Sequence, residues 1–191
     1  MNRALDVAIA GTGLVVASPL IAVGALAVKL EDRGPVLYRQ MRVGKDGADF
    51  ELLKLRTMIV GAEKHGAGYA VDRGDSRITK AGRVLRRLSI DELPQLWNVV
   101  RGDMAIVGPR PERPEFVVEL AREIPFFEPR HLVRPGVTGW AQVYAPYGAS
   151  ADDALAKLSY DLYYLKNGSI ATDLGIMLRT AGVMVGGVGS R

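Results

Sequence analysis

From Val7 to Val28 the chain carries no charged side chain. As a helix rising 1.5 Å per residue, this run is about 33 Å long, enough for a bilayer core of about 30 Å. It is apolar on all faces, a pattern that only a large or membrane-embedded protein buries. Ser18-Pro19 falls at its middle. Proline removes a backbone donor and clashes with the carbonyl four residues earlier, and a serine hydroxyl can take up a carbonyl freed in this way. The expectation is a membrane helix broken at Ser18-Pro19 that enters and leaves on one side. Arg3 before the run and Lys29 and Arg33 after it favour neither end as the inside. A straight kinked span and a buried core helix are the alternatives. A secretory signal fits poorly, given Asp6 and the length of the run.

Beyond residue 30 the periodicity changes. Val36–Val43 and Phe50–Leu55 mix apolar and polar positions around Gly44-Lys45-Asp46-Gly47, which predicts a β-hairpin. Lys54 and Arg56 fall on one face of its second strand. Gly61–Gly74 reads as a loop, and Lys80–Leu88 as a short basic helix. Ser89 and Glu92 have capping-box spacing, and Leu93, Leu96, Trp97 and Val100 follow at the spacing of a helix core face. Glu112–Ile124 and Asp152–Lys166 read as helices, with a turn-rich loop at Pro135–Trp140 between them. Trp140 suits a core position or an interfacial anchor. Tyr160, Tyr163 and Tyr164 suit packing more than base stacking. In a last helix, Asp173–Val185, the face of Leu174, Met177, Leu178 and Ala181 suits a core or a membrane interface equally. The fold class is α+β, mostly helical: a re-entrant membrane helix over residues 1–30, then a catalytic domain over 31–191 with a small hairpin and amphipathic interfacial helices.

Composition narrows this picture modestly. The 191 residues carry a net charge of +4, which suits nucleic acid, an anionic membrane surface or a phosphorylated substrate. There is no cysteine, hence no disulfide framework and no thiolate metal site. Two histidines, His65 and His131, make a histidine-rich metal site implausible.

The chemistry concentrates between Arg83 and Glu112. Asp91-Glu92 is a paired carboxylate with Arg83, Arg86 and Arg87 before it and Arg101 after it, and Gly108-Pro109-Arg110-Pro111 closes the stretch. A diphosphate repels an incoming carboxylate, so cationic donors or a divalent ion must neutralise its oxygens first. Mg²⁺ takes few carboxylates alongside phosphate oxygens and waters, so one acid can hold the metal while its neighbour attacks phosphorus. Arg110, fixed between two prolines, can offer its planar fork to phosphate. Capping remains the alternative role for Glu92.

Five motifs carry a resemblance over nearly the whole chain: KLRTM at Lys54–Met58, LSIDELPQLWNVVRGDM at Leu88–Met104, VGPRPE at Val107–Glu112, RPGVTGWAQV at Arg134–Val143 and YDLYYLKNGS at Tyr160–Ser169. With these the chain resembles the bacterial sugar transferases, the small monotopic phosphoglycosyl transferases, and Ser18-Pro19 matches the break of their re-entrant helix. The resemblance implies transfer of a phospho-sugar from a UDP-sugar to polyprenyl phosphate at the cytoplasmic face of the bacterial inner membrane. UMP is released, Mg²⁺ is the cofactor, and nucleic acid has no part. It implies Asp91 as nucleophile, Glu92 as metal ligand, Arg86 and Arg110 near phosphate and nucleotide, and Lys54 near the active site. Tyr144-Ala145 stands where many members have Asn-Gly, which bears on the sugar pocket. The chain begins at the membrane segment, as the minimal members do. A membrane-bound nucleotide-sugar hydrolase and a membrane-tethered nucleic-acid or scaffold protein are the rival readings.

Overall fold

A computed structural model describes residues 2–62, 74–145 and 151–185. Most of Gly61–Gly74, with His65 and Asp72, and the segment Pro146–Ala149 lie outside the described residues. The elements are α1 (Arg3–Asp32), β1 (Leu37–Val43), β2 (Asp49–Leu55), α2 (Lys80–Arg87), α3 (Gln95–Arg101), β3 (Ala105–Val107), α4 (Pro114–Glu123), β4 (Gly136–Thr138), α5 (Trp140–Tyr144), α6 (Ala151–Asn167) and α7 (Ile170–Val185). The chain is mostly helical. The strands form two separate pairs: β1 and β2 antiparallel, β3 and β4 parallel. The hairpin is the expected one. The parallel pair replaces part of the expected loop at Pro135–Trp140, because three-residue strands are too short to show a period of two.

Helix α1 runs through Ser18-Pro19 without interruption, unlike the expected broken helix. The reason is local. Pro19 has no N–H to offer the carbonyl of Val15, and the Ser18 hydroxyl donates to that oxygen instead, at 2.8 Å. Among the described residues, α1 is the one helix long and apolar enough to cross a membrane.

One face of α1 is buried at Asp6, Ala10, Ala17, Gly24 and Val28, a spacing of four and seven. These are mostly small side chains, so the helix lies close to what it covers. A Cβ on Gly24 would come within 2.8 Å of Leu55 and 3.0 Å of Leu85. The opposite face leaves Val15, Val16, Leu20, Val23, Leu26 and Leu30 exposed. Polar contacts tie both ends of α1 to the rest of the protein. At the start, Arg3 donates to the carbonyls of Val99 and Val100, and the Asp6 carboxylate accepts from the Ile106 amide at 2.9 Å. At the end, Glu31 accepts from the Lys80 and Ala81 amides, capping α2 together with the Thr79 side chain. Asp32 receives the Arg56 guanidinium at 2.6 Å, which holds the Asp32 carboxyl down to about 2.

The main core joins α1, the hairpin, α3, β3 and the C-terminal helices through Ala10, Phe50, Leu52, Val99, Met104 and Ile176. The inward face of α3 matches the expected one only in part: Leu96 and Val100 pack against the main core, and Trp97 does not. Leu96 and Val100 are only partly buried, Trp97 is 51% exposed, and Gln95, Asn98 and Val99 point inward. Asn98 explains the shift. Its Oδ1 accepts from Leu53 N and its Nδ2 donates to Glu51 O, so one side chain satisfies the free edge of β2 as a third strand would. On α7 the expected apolar face divides. Ile176 is buried and Met177 packs on the core, while Leu174 and Leu178 are exposed. Trp140 packs against the main core and stacks on Tyr163 at 5.3 Å. Tyr164 is buried and donates its hydroxyl to Asp173 at 2.7 Å.

Replacing Asn98 by Leu should lower the unfolding free energy by about 2 kcal/mol or more, since two buried backbone groups lose their partner. Denaturant unfolding in detergent measures this. Unchanged stability would show that the β2 edge needs no such partner.

Candidate active site

The segment linking α2 to α3 sets the geometry of the acids. Ser89 takes a left-handed conformation, with φ 54°, and its side chain caps nothing. Ile90–Glu92 then form a single 3₁₀ turn. The expected capping box is therefore absent: a left-handed Ser89 cannot aim its hydroxyl at the following amides. Glu92 instead reaches across to the hairpin. Lys54 Nζ donates to Glu92 Oε1 at 2.6 Å, and Arg110 Nη2 meets the same oxygen at 3.3 Å.

The two adjacent carboxylates differ in electrostatic setting. Burial alone would raise the Glu92 carboxyl, but the charges of Lys54 and Arg110 outweigh it and hold the group well below the usual range. Asp91 is only 8% exposed. Burial pushes its carboxyl above the ordinary 3.8, the Glu92 charge adds to the rise, and Lys54 and Arg86 oppose it. Glu92 is thus a fixed anion locked to two cations. Asp91 is a desolvated carboxylate without such a clamp.

Lys54, Asp91, Glu92 and Arg110 come together as the sequence implies, and Arg86, in the last turn of α2, acts on Asp91 through its charge. Lys54 and Arg56 do not share a solvated face. Arg56 is 6% exposed and belongs to the α1 anchor. Ser18 and Pro19 sit on α1, apart from this cluster.

A narrow cleft beside the acids is lined by Arg42, Leu52, Lys54, Gln95, Arg110 and Pro111. Its volume is about 10 Å³, and three cations line it. Arg42 was not legible as a site residue, because an arginine in the alternating strand β1 reads as solvent-facing. In the fold it is mostly buried and donates to the Pro111 carbonyl at 2.9 Å and to Gln40. A roomier cleft of about 330 Å³ lies against Trp140, Ser159, Tyr160 and Tyr163. Among the described residues, no acid or cation lines it.

The donor set fits a magnesium ion that is shared with substrate. Among the described residues no group of three His, Asp or Glu side chains could hold a metal alone. Both cation contacts of Glu92 use Oε1, which leaves Oε2 for a hard metal ion whose other ligands are phosphate oxygens and water.

This arrangement of paired acids, clustered cations and a long apolar helix belongs to a membrane-associated phosphate-handling enzyme. The chain belongs to the bacterial sugar transferase family, matched over residues 1–187. It is 47% identical over 191 residues to the UDP-N-acetylgalactosamine-undecaprenyl-phosphate N-acetylgalactosaminephosphotransferase of Aeromonas hydrophila, covering 100% of this chain and 45% of that protein. It is 44% identical over 181 residues to the UDP-glucose:undecaprenyl-phosphate glucose-1-phosphate transferase of Caulobacter vibrioides, covering 94% of this chain and 67% of the relative. It is 38% identical over 186 residues to the exopolysaccharide production protein PSS of Rhizobium leguminosarum bv. phaseoli, covering 94% and 92%. The chain thus spans less than half the length of the Aeromonas relative.

Lys54→Met should raise the Asp91 carboxyl further, since it removes the charge that most opposes its rise. A ¹³C NMR titration of carboxyl-labelled protein, with the Asp91 signal identified by its loss in Asp91→Asn, measures this. An unmoved midpoint would show that Lys54 does not govern Asp91.

Proposed function

We propose that this protein transfers a phospho-sugar from a UDP-sugar to undecaprenyl phosphate, releasing UMP, through a covalent intermediate on Asp91. The observation that carries the reading is the division of labour between neighbouring acids: Glu92 locked by Lys54 and Arg110, Asp91 buried and unclamped. The names of the relatives supply the substrate class: a UDP-hexose or UDP-N-acetylhexosamine as donor and undecaprenyl phosphate as acceptor.

In the first step an Asp91 carboxylate oxygen forms a bond to the β-phosphorus. The bond from that phosphorus to the bridging oxygen breaks, and UMP leaves with the bonding electrons. In the second step an oxygen of the lipid phosphate attacks the same phosphorus and the Asp91 carboxylate is regenerated. Asp91 must be ionised to attack, so the rate falls on the acid side of its raised pKa. Arg110, Lys54 and Arg42 would bind the diphosphate oxygens, and Glu92 would hold Mg²⁺ through Oε2. When bound, the metal supplies positive charge that neutralises the diphosphate and the departing UMP.

The acceptor lies in a bilayer and the donor arrives from water, so the site must meet the membrane surface. We assign α1 to a re-entrant topology at the cytoplasmic face of the inner membrane. Its two ends supply the support. Arg3 and Asp6 at one end and Glu31 and Asp32 at the other bind the same catalytic domain. A helix held in this way cannot place its ends on opposite sides of a membrane without breaking one set of contacts. Its exposed apolar face, with Leu174 and Leu178 of α7, is then the surface that enters the lipid.

With Mg²⁺ and undecaprenyl phosphate, the full chain should release UMP from UDP-glucose or UDP-N-acetylgalactosamine. Asp91→Asn should lose at least about a thousandfold. UMP release that continues without the lipid over many turnovers would indicate hydrolysis instead. The natural chain has no cysteine, so Asn2→Cys and Lys45→Cys report topology directly. A membrane-impermeant maleimide should label both in inside-out vesicles and neither in intact spheroplasts. Labelling of position 2 from outside would rule out the re-entrant topology.

A further inference from the structure

The Gly-Pro-Arg-Pro turn poses a problem of support. Pro109 and Pro111 have no N–H, so the turn around Arg110 can be fixed chiefly through its carbonyls. Each is engaged in succession. The Pro109 carbonyl accepts from Gly136 N and the Glu112 carbonyl from Val43 N, both at 2.9 Å. The Pro111 carbonyl accepts from Arg42. The carbonyl of Arg110 itself accepts from Arg130 Nη2 at 3.0 Å.

Arg130 is the least expected of these donors. It sits in the turn Glu128–Leu132, well separated in sequence, and is 6% exposed. Asp161 of α6, equally buried, takes two of its N–H groups on one oxygen: Nη2 at 2.8 Å and Nε at 3.1 Å. The Phe127 ring lies 5.0 Å beneath the guanidinium. A buried ion pair of this kind adds little net stability, because desolvation offsets the attraction. Fixing the Arg110 backbone is a use that its geometry does serve.

We propose that Arg130, held in place by Asp161, is a positioning residue that sets the direction of Arg110 toward Glu92 and the diphosphate. It touches no substrate. The second N–H of Nη2 anchors the backbone from which the Arg110 side chain departs, one residue before the carbonyl held by Arg42. The functional part of this inference rests on the reaction proposed above. The positional part does not.

The test uses the full chain in detergent and two variants. The pair Arg130→Met/Asp161→Leu removes both charges together, which buried pairs often tolerate without loss of stability. Asp161→Asn keeps the shape but leaves the Arg130 charge without its partner, so it weakens the hold on Arg130 at a cost in stability; it serves if the double replacement does not fold. The first readout needs no turnover: the relaxation of the Arg110 ¹⁵Nε signal, identified by its loss in Arg110→Ala. It should report an ordered guanidinium in the wild type and a mobile one in either variant, with circular dichroism showing that the variant remains folded. An equally ordered signal in a folded variant overturns the proposal.

The second readout is UMP release. The double replacement should raise KM for the UDP-sugar about tenfold, more than it lowers kcat, as expected when a ground-state phosphate contact is misplaced. In an Arg110→Ala background that increase should vanish, because a residue acting only through Arg110 has nothing left to position. A further tenfold loss in that background assigns Arg130 an independent role and overturns the proposal. Absence of UMP release from the wild type would refute the reaction and leave the relaxation result to decide the positioning claim.

Discussion

One oxygen atom, Oε1 of Glu92, is where the parts of this protein meet. The hairpin delivers Lys54 to it and the proline-flanked turn delivers Arg110. The 3₁₀ turn that carries Glu92 also carries Asp91. Two positive charges satisfy that carboxylate and hold it ionised. The adjacent Asp91 is desolvated, and burial raises its carboxyl. The two carboxylates differ in setting because the hairpin and the proline-flanked turn each bring a cation onto only one of them.

Helix α1 is part of the same construction. Gly24 lies against Leu55, next to Lys54, and a side chain there would also approach Ile90, next to Asp91. The helix therefore packs beneath both sides of the acid cluster, and its far face is apolar and exposed. Asp32 with Arg56 and Glu31 with the start of α2 tie its end to the elements that bear Lys54 and Arg86. A site organised in this way is held at a fixed distance from the apolar surface, as the proposed reaction between a lipid phosphate and a water-soluble nucleotide requires.

Much of this was legible in the sequence where a local pattern has one physical meaning. The long apolar run, the hairpin around Asp46-Gly47 and the basic helix before the acids all form as their periodicity implies. Ser18 next to Pro19 shows both the value and the limit of such reading. The hydroxyl does supply the missing hydrogen bond, and by doing so it keeps the helix continuous where a break was expected. The capping box failed for a related reason: the left-handed Ser89 follows from how α2 must connect to the acid turn, which no spacing encodes. Asn98, Arg42 and Arg130 were out of reach because each serves a backbone group 45 to 69 residues away in the first two cases, and 20 away in the third. Polar residues that satisfy distant backbone look, in sequence, like ordinary solvent-facing ones.

The central claim is that Asp91 becomes covalently loaded while Glu92 does not. The most direct measurement is the intact mass of the protein after mixing with a UDP-sugar it turns over and Mg²⁺, without lipid, and rapid acid quenching. The account predicts one added phospho-sugar per chain, mapped to Asp91 by fragmentation, absent in Asp91→Asn and discharged by undecaprenyl phosphate. An unmodified mass under fast quenching, together with kinetics that require both substrates bound at once, would contradict it.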